Sequence, residues 1–286
     1  MVGSLLDRDT TTSMRVKVIN AGRRSLLPSF SEVYDHRELI VLFVDRHIKS
    51  RYRQMALGIA WALLEPLFQL LLMSVVFGFL LRVNTNGYPY PVYVFAALIP
   101  WQHFTRTAMS VTGSLQDNLS LISKVYFPRI ILPIAAMARE MFDTAIQLAI
   151  LLILAAFYGY YPSLKLVLLA PVVLILISFA GAGLGLWAAA IVVRFRDVRP
   201  ALSIALQGGL YLTPILYAAS VVPQNLRFLY QLNPMYWGVE TFRWLLIDQP
   251  LVWDWTLPVS LTLTAIMTAL GIVIFSVNER TTVDVL

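Results

Sequence analysis

The sequence predicts an all-α integral membrane protein: six transmembrane helices per subunit, an N-terminal amphipathic interfacial helix, and re-entrant helices between spans five and six. Three observations carry that prediction. Of 286 residues, 58% are hydrophobic and only 13% charged, with a mean hydropathy of +0.72. A soluble domain carries about 45–50% apolar and about 25% charged residues. The apolar residues gather into runs of roughly 20, the length that crosses a bilayer. Arginine and lysine concentrate in alternate connections between those runs, as the positive-inside rule requires.

Residues 1–33 read as a cytosolic polar tail. Asp7, Arg8, Asp9, Arg15, Lys17, Arg23 and Arg24 leave no apolar centre long enough for a cleavable signal peptide. Over residues 34–54, Leu39, Ile40, Leu42, Phe43, Val44 and Ile48 recur at helical spacing among Arg37, Asp45, Arg46, Lys49, Arg51 and Arg53. That pattern predicts an amphipathic helix on the inner membrane surface, its basic residues turned to lipid head groups or a partner. The alternative is a short helix that leads into span one.

Residues 55–286 form the transmembrane domain. Its first span covers about 56–81, interrupted by Glu65, Pro66 and Gln69. The second covers 90–111, the third 130–158 and the fourth 164–193. The fifth, 201–222, is broken by Gly208, Gly209 and Pro214. The sixth is 256–277. With the N-terminus inside, most of the 22 basic residues fall on the cytosolic side, ten of them before Met55. Both termini are therefore expected in the cytosol, with the cytoplasmic (inner) membrane as the location. Segregation of this kind points to lipid, not nucleic acid, as the source of the net charge of +6.

Catalytic chemistry is absent from the pattern. There is no cysteine, hence no thiolate nucleophile, disulfide or thiolate metal site. His36, His47 and His103 lack metal-ligand spacing, and no Gly-x-Ser-x-Gly elbow is present. No Gly-x-x-x-x-Gly-Lys-Ser/Thr loop exists to cradle a nucleotide, so ATP-driven work has to come from another chain. Gly181, Gly183 and Gly185 lie inside span four, where close helix packing explains them better than a dinucleotide site.

Polar groups inside the spans carry more information, because a charge at the bilayer centre costs roughly 2.5–3.5 kcal/mol. Glu65 lies in span one, Arg106 in span two, and Arg139, Glu140 and Asp143 in span three. Arg139 and Asp143, one turn apart, are expected to neutralise each other. Glu65, next to the kinking Pro66, is read either as pore lining or as an interhelical hydrogen-bond partner. Tyrosines and tryptophans cluster at the outer parts of spans one, two, five and six, where interfacial anchoring accounts for most of them. Residues 219–255 are too apolar for a free loop and carry Pro223, Pro234 and Pro250. They are expected to form two short helices flanking Asn233-Pro234, a re-entrant hairpin at the outer mouth.

Four runs together resemble a known family. They are Leu57-Gly58-Ile59-Ala60-Trp61-Ala62-Leu63-Leu64-Glu65-Pro66, Leu121-Ile122-Ser123-Lys124-Val125-Tyr126-Phe127-Pro128-Arg129, Arg194-Phe195-Arg196-Asp197-Val198-Arg199, and Leu212-Thr213-Pro214-Ile215-Leu216-Tyr217 with Leu232-Asn233-Pro234-Met235. In this order the chain resembles the membrane subunit of ABC-2 type exporters of the polysaccharide and polyol-phosphate group, which move O-antigen, teichoic acid and related cell-envelope glycans.

The resemblance implies a homodimer, two copies of a separate cytosolic ATP-binding subunit that holds ATP and Mg, and a lipid-linked glycan as cargo. This chain itself carries no cofactor and no metal. The loop 117–129 is expected to dock on the ATPase through a coupling helix, with Leu121, Lys124, Val125, Tyr126, Phe127, Pro128 and Arg129 as the contact and Pro128 ending the helix. Arg46, Lys49, Arg51, Arg53, Arg194, Arg196, Asp197 and Arg199 supply inner-surface contacts. The Arg194–Arg199 run serves either as a plain membrane anchor or as a site for lipid phosphate or the cargo's pyrophosphate. Spans one and five of the two copies line the path, with Trp61, Glu65, Phe68, Tyr93, Trp101, Tyr211 and Tyr217 as candidates. Pro223, Asn233, Pro234 and Arg243 form the outer gate. Two other classes stay open: an ABC-2 exporter of a small drug or lipid, and a membrane protein not driven by ATP.

Overall fold

The computed structural model describes residues 30–53, 60–122, 124–125, 127–192, 194–223, 226, 232–251 and 255–281. The expected tail up to residue 29, Tyr126, and most of the first half of the expected hairpin lie outside the described residues. All regular structure among the described residues is helical.

The helices, in chain order, are α1 (Phe30–Asp35), α2 (Arg37–Arg53), α3 (Ala60–Met73), α4 (Tyr90–Gly113), α5 (Leu119–Ile122), α6 (Ile131–Phe157), α7 (Leu164–Val192), α8 (Val198–Leu212), α9 (Tyr236–Ile247) and α10 (Thr256–Thr281). A π-helical segment, Ser74–Leu80, continues α3. Among the described residues, four helices are long and apolar enough to cross a membrane, over Leu63–Leu80, Ile131–Phe157, Leu164–Val192 and Pro258–Val277. They coincide with expected spans one, three, four and six. The chain is a multi-pass membrane protein.

Local chemistry sets the helix ends. Ser163 accepts the Leu166 N–H through its side chain at the start of α7, supplying a partner for an otherwise orphaned donor. Gly159, at φ +83°, closes α6 in the left-handed conformation, with the N–H groups of Gly159 and Tyr160 returning to the carbonyls of Ala156 and Ala155.

Helix α4 is the centre of the molecule, and most of its side chains are buried. It packs against α6, α7 and α9. At 24 residues it is long enough to span, yet Gln102, His103, Thr105, Arg106 and Thr107 dilute its hydropathy. Gln102, His103 and Thr107 are tolerated because protein surrounds them. His103, 1% exposed, bridges Thr144 of α6 (2.7 Å) and Ser178 of α7 (2.6 Å), tying three helices together.

The glycines of α7 do bring helices into backbone contact. A Cβ on Gly181 would sit 2.7 Å from the Phe104 carbonyl oxygen, and one on Gly185 would sit 2.7 Å from that of Ala108. On the other side of α7, a Cβ on Gly183 would fall 2.5 Å from the Thr268 Cα of α10, and Gly271 is pressed against Gly183 in return. Alternate glycines thus let α7 press α4 on one side and α10 on the other.

Span five departs from expectation. Helix α8 stops at Leu212 and does not run on to Val222; at 15 residues it extends only about 22 Å, short of a bilayer core. Gly208 and Gly209 remain helical. The break comes at Thr213 (φ −93°, ψ 142°), the extended conformation favoured before Pro214. Gly209 is needed for packing, since a Cβ there would come within 2.8 Å of the Trp101 ring.

Candidate functional site: the basic end of the bundle and the exposed face of α3

Three elements meet at the end of the bundle where α4 finishes. These are α2, the connection from Ser114 to Ile130, and the start of α8. The connection is less helical than expected: a 3-10 turn over Gln116–Asn118 and α5, which ends at Ile122, well before Pro128. Its tip is Lys124 and Val125, both exposed. Phe127 does not present itself to a partner. It is 6% exposed and packs against Phe43 of α2 at 5.9 Å between ring centroids, in a core shared with Val111, Leu115, Ile131 and Leu132. Leu121 packs on the edge of the same core, and Pro128 and Arg129 are half-buried.

A second clamp holds the other side of the loop. Arg199 of α8 pairs with Asp117 at 3.1 Å, and the pair fits because residue 113 is glycine, where a Cβ would come within 2.8 Å of both side chains. Arg194, Arg196 and Asp197 are exposed beside it. Asp197 precedes α8 without capping it through its side chain. The loop is therefore fixed to α2 by an aromatic contact and to α8 by an ion pair, with Lys124 and Val125 exposed between them.

Helix α2 lies against α6. Phe43 and the half-buried Leu39, Ile40 and Val44 face the bundle, whereas Val41, Leu42, Arg46 and Lys49 are exposed, with Lys49 paired to Asp45. Arg51 and Arg53 belong to its last turn. Between α2, α4, α6 and α8 lies a cavity of about 130 Å³ of mixed character, where His47, Ser110, Asp117, Arg139 and Arg199 meet apolar Phe43, Met109 and Leu132. Here Arg139, expected to neutralise Asp143, has Glu140 as an ion-pair partner. Arg139 meets Glu140 at 2.7 Å, donates to Ser110 at 2.6 Å and lies 3.2 Å from His47 Nδ1. Because Glu140 lies 3% exposed, the adjacent guanidinium is its necessary counter-charge.

Burial, and then the neighbouring Arg139 and Arg46 cations, lower the His47 pKa, with Asp117 and Glu140 opposing. A base whose folded pKa is depressed binds its proton more readily when unfolded, so this contribution to stability is present above about pH 6.5 and declines below it. Thermal unfolding in detergent is expected to show wild-type protein losing stability between pH 7.5 and 5.5, and His47→Gln losing less.

The opposite end of the bundle is organised by Arg243. Expected at a gate, it is instead among the largest wholly buried side chains of the subunit. Its guanidinium bonds Glu240 (2.9 Å) and the carbonyls of Ile215 (2.8 Å) and Tyr93 (3.4 Å), and lies 3.8 Å from the Tyr93 ring centroid. Asn233 bonds Thr213, and the Asn233 and Pro234 carbonyls accept from Ser260 and Thr264 of α10. The turn is thus stapled to α8 and α10. Pro223 is exposed. Of the expected channel aromatics, Tyr93 and Trp101 are buried within the subunit, so neither lines a passage in this conformation. Trp61, Phe68 and Tyr211 are exposed, and Tyr217 donates to the Tyr211 carbonyl.

Helix α3 is attached more lightly than any other apolar helix, with most of its length exposed. Glu65 pairs with Arg106 of α4 at 3.2 Å, and one turn on Gln102 donates to Gln69. Glu65 thus makes the interhelical hydrogen bond that was one of its two expected roles, whereas Arg106 as its partner and the Gln69–Gln102 rung were missed. The i, i+4 spacing of Glu65 with Gln69 and of Gln102 with Arg106 was the available signal.

Comparison with known proteins now bears on this arrangement. The ABC-2 type transporter family model matches residues 38–247, from α2 through the last residue of α9. The chain belongs to the ABC-2 type transporter family. An O-antigen export system permease protein RfbA from Myxococcus xanthus is 32% identical over 206 residues, 71% of this chain and 78% of the relative. A protein of the same description from Klebsiella pneumoniae is 26% identical over 84% of this chain and 91% of its own length. The polysialic acid transport protein KpsM of Escherichia coli is 26% identical over 69% of this chain and 77% of the relative.

Proposed function

We propose that this chain is the permease subunit of an ATP-driven exporter that moves a lipid-linked cell-envelope polysaccharide across the cytoplasmic membrane. It works as a homodimer, with both termini cytosolic and two copies of a cytosolic ATP-binding subunit that holds ATP and Mg. The carrying observation is similarity along most of the chain to proteins named as O-antigen export permeases. The basic end supports the division of labour: Val125 and Lys124 protrude for a partner, while Phe127–Phe43 and Asp117–Arg199 link that loop to α2 and α8. Movement imposed on the tip would reach both helices. In this reading α4, and α8 prolonged by the non-helical segment 213–218, complete the set of six membrane passes, with α9 forming a re-entrant outer mouth and Arg194 and Arg196 anchoring to lipid phosphates.

Deleting the gene is expected to remove the glycan from the cell surface and leave it on its lipid carrier inside. Val125→Asp is expected to reduce export at least about tenfold, because burying an unpaired carboxylate in the partner's cleft costs about 3–5 kcal/mol. Immunoblotting checks that the variant reaches the membrane at normal abundance. Unchanged surface glycan in the deletion strain overturns the proposal.

A further inference from the structure

The exposed stripe of α3 carries a charge arrangement that bears on the cargo. Trp61, Glu65, Phe68 and Leu72 recur at i, i+4, i+7 and i+11 and therefore share one helix face. All four are exposed, whereas Pro66 and Leu70, on the other side of the helix, are buried. Glu65 reaches Arg106, which lies two turns from the end of α4 and so roughly 10 Å inside the bundle. The two members of the pair are not equally presented. The Glu65 side chain is 59% exposed and the Arg106 side chain 23%.

Lipid is a poor neighbour for this face, because a half-exposed ion pair at membrane depth lacks the solvation that charged groups need. Water or a polar chain is the compatible neighbour. Glu65 gives one oxygen to Arg106, and among the described residues the other is left as a hydrogen-bond acceptor. Flanking aromatic rings one turn away on either side offer flat apolar platforms. Acceptor and rings together match a saccharide, whose hydroxyls donate and whose C–H faces stack. The same surface opposes acidic sugars, because the more accessible charge is negative and the compensating guanidinium is tucked behind it.

From this the geometry points to a saccharide subsite on α3, built from Trp61, Glu65 and Phe68 with Arg106 as positioning residue, that selects a neutral, hydroxyl-rich glycan over a polyanionic one. The inference rests on the polysaccharide-export reading and narrows its substrate class. Arg106 fixes the position of the carboxylate on the stripe by pairing with one of its oxygens.

The absence of cysteine from the sequence makes the test direct. Leu72→Cys places one reporter thiol on the stripe without touching the subsite. The full-length protein in proteoliposomes is treated with a neutral, water-soluble maleimide, alone and with maltohexaose or a galacturonic acid hexamer. Labelling is expected to proceed, and maltohexaose is expected to slow it about threefold to tenfold more than the acidic hexamer, the range set by one like charge nearby in partly screened water. Adding Glu65→Gln is expected to erase that difference while labelling persists.

No labelling would place the stripe against lipid and overturn the inference. A disulfide-linked dimer in place of labelling would make a second copy the occupant and overturn it equally. Equal protection by the two sugars, protection by neither, or a preference that survives Glu65→Gln would also overturn it. None of these outcomes touches the export reading, which stands or falls on surface glycan in the deletion strain.

Discussion

Arg243→Leu is expected to cost about 3–5 kcal/mol of stability, the largest effect of any single substitution at its end of the bundle. The side chain is wholly buried, and four groups depend on it: the Glu240 carboxylate, the carbonyls of Ile215 and Tyr93, and the Tyr93 ring. Removing the cation strands a carboxylate that is itself buried, and leaves two carbonyls short of a donor. Thermal unfolding of the purified protein in detergent reads the loss directly. Arg243→Leu combined with Glu240→Leu is expected to recover part of it, because the stranded charge goes too. A gate residue would behave differently, altering transport at unchanged melting temperature.

Gly271→Val is the second large effect, expected at about 1–3 kcal/mol or more. The added side chain meets the backbone of Gly183, which has no flexible end to move aside. Helices α7 and α10 must separate, and the Thr268 hydroxyl, 3.1 Å from the Phe179 carbonyl across that seam, loses its bond. Gly208→Ala serves as the control, since nothing lies within 4 Å of a Cβ at that position. Lower melting temperature and membrane abundance for Gly271→Val, with Gly208→Ala near wild type, is the expected pair of results.

Much of the fold could be read from the sequence, for identifiable reasons. Spans one, three, four and six are continuous apolar runs, and such runs have one stable outcome in a bilayer. The helix at expected span two, α4, was found by length, but its central place in the packing was hidden. Periodicity shows that Gln102, His103 and Arg106 are polar, yet not that Thr144, Ser178 and Glu65 wait beside them from other helices. The end of α8 was misjudged because hydropathy continues through Ile215 and Leu216, while the backbone before Pro214 has already left the helix.

The sites divide in the same way. The protruding Val125 and Lys124 matched the apolar and basic pattern of their loop. Phe127 looked equally apolar and proved to be an internal anchor, a distinction that depends on Phe43 more than eighty residues earlier in the chain. Tyr93, Trp101 and Arg243 carried polar or aromatic signatures that suit a wet passage as well as a sealed interior. Only their neighbours decide between the two.

The glycine seams have a consequence for measuring motion in this subunit. Where two backbones touch there is no side-chain cushion to shear, so α4, α7 and α10 must travel as one piece during a transport cycle. Spin labels paired across those three helices would serve as a fixed ruler, reporting the same separation in every nucleotide state. All distance change should then appear in vectors drawn from that ruler to α3 or α8.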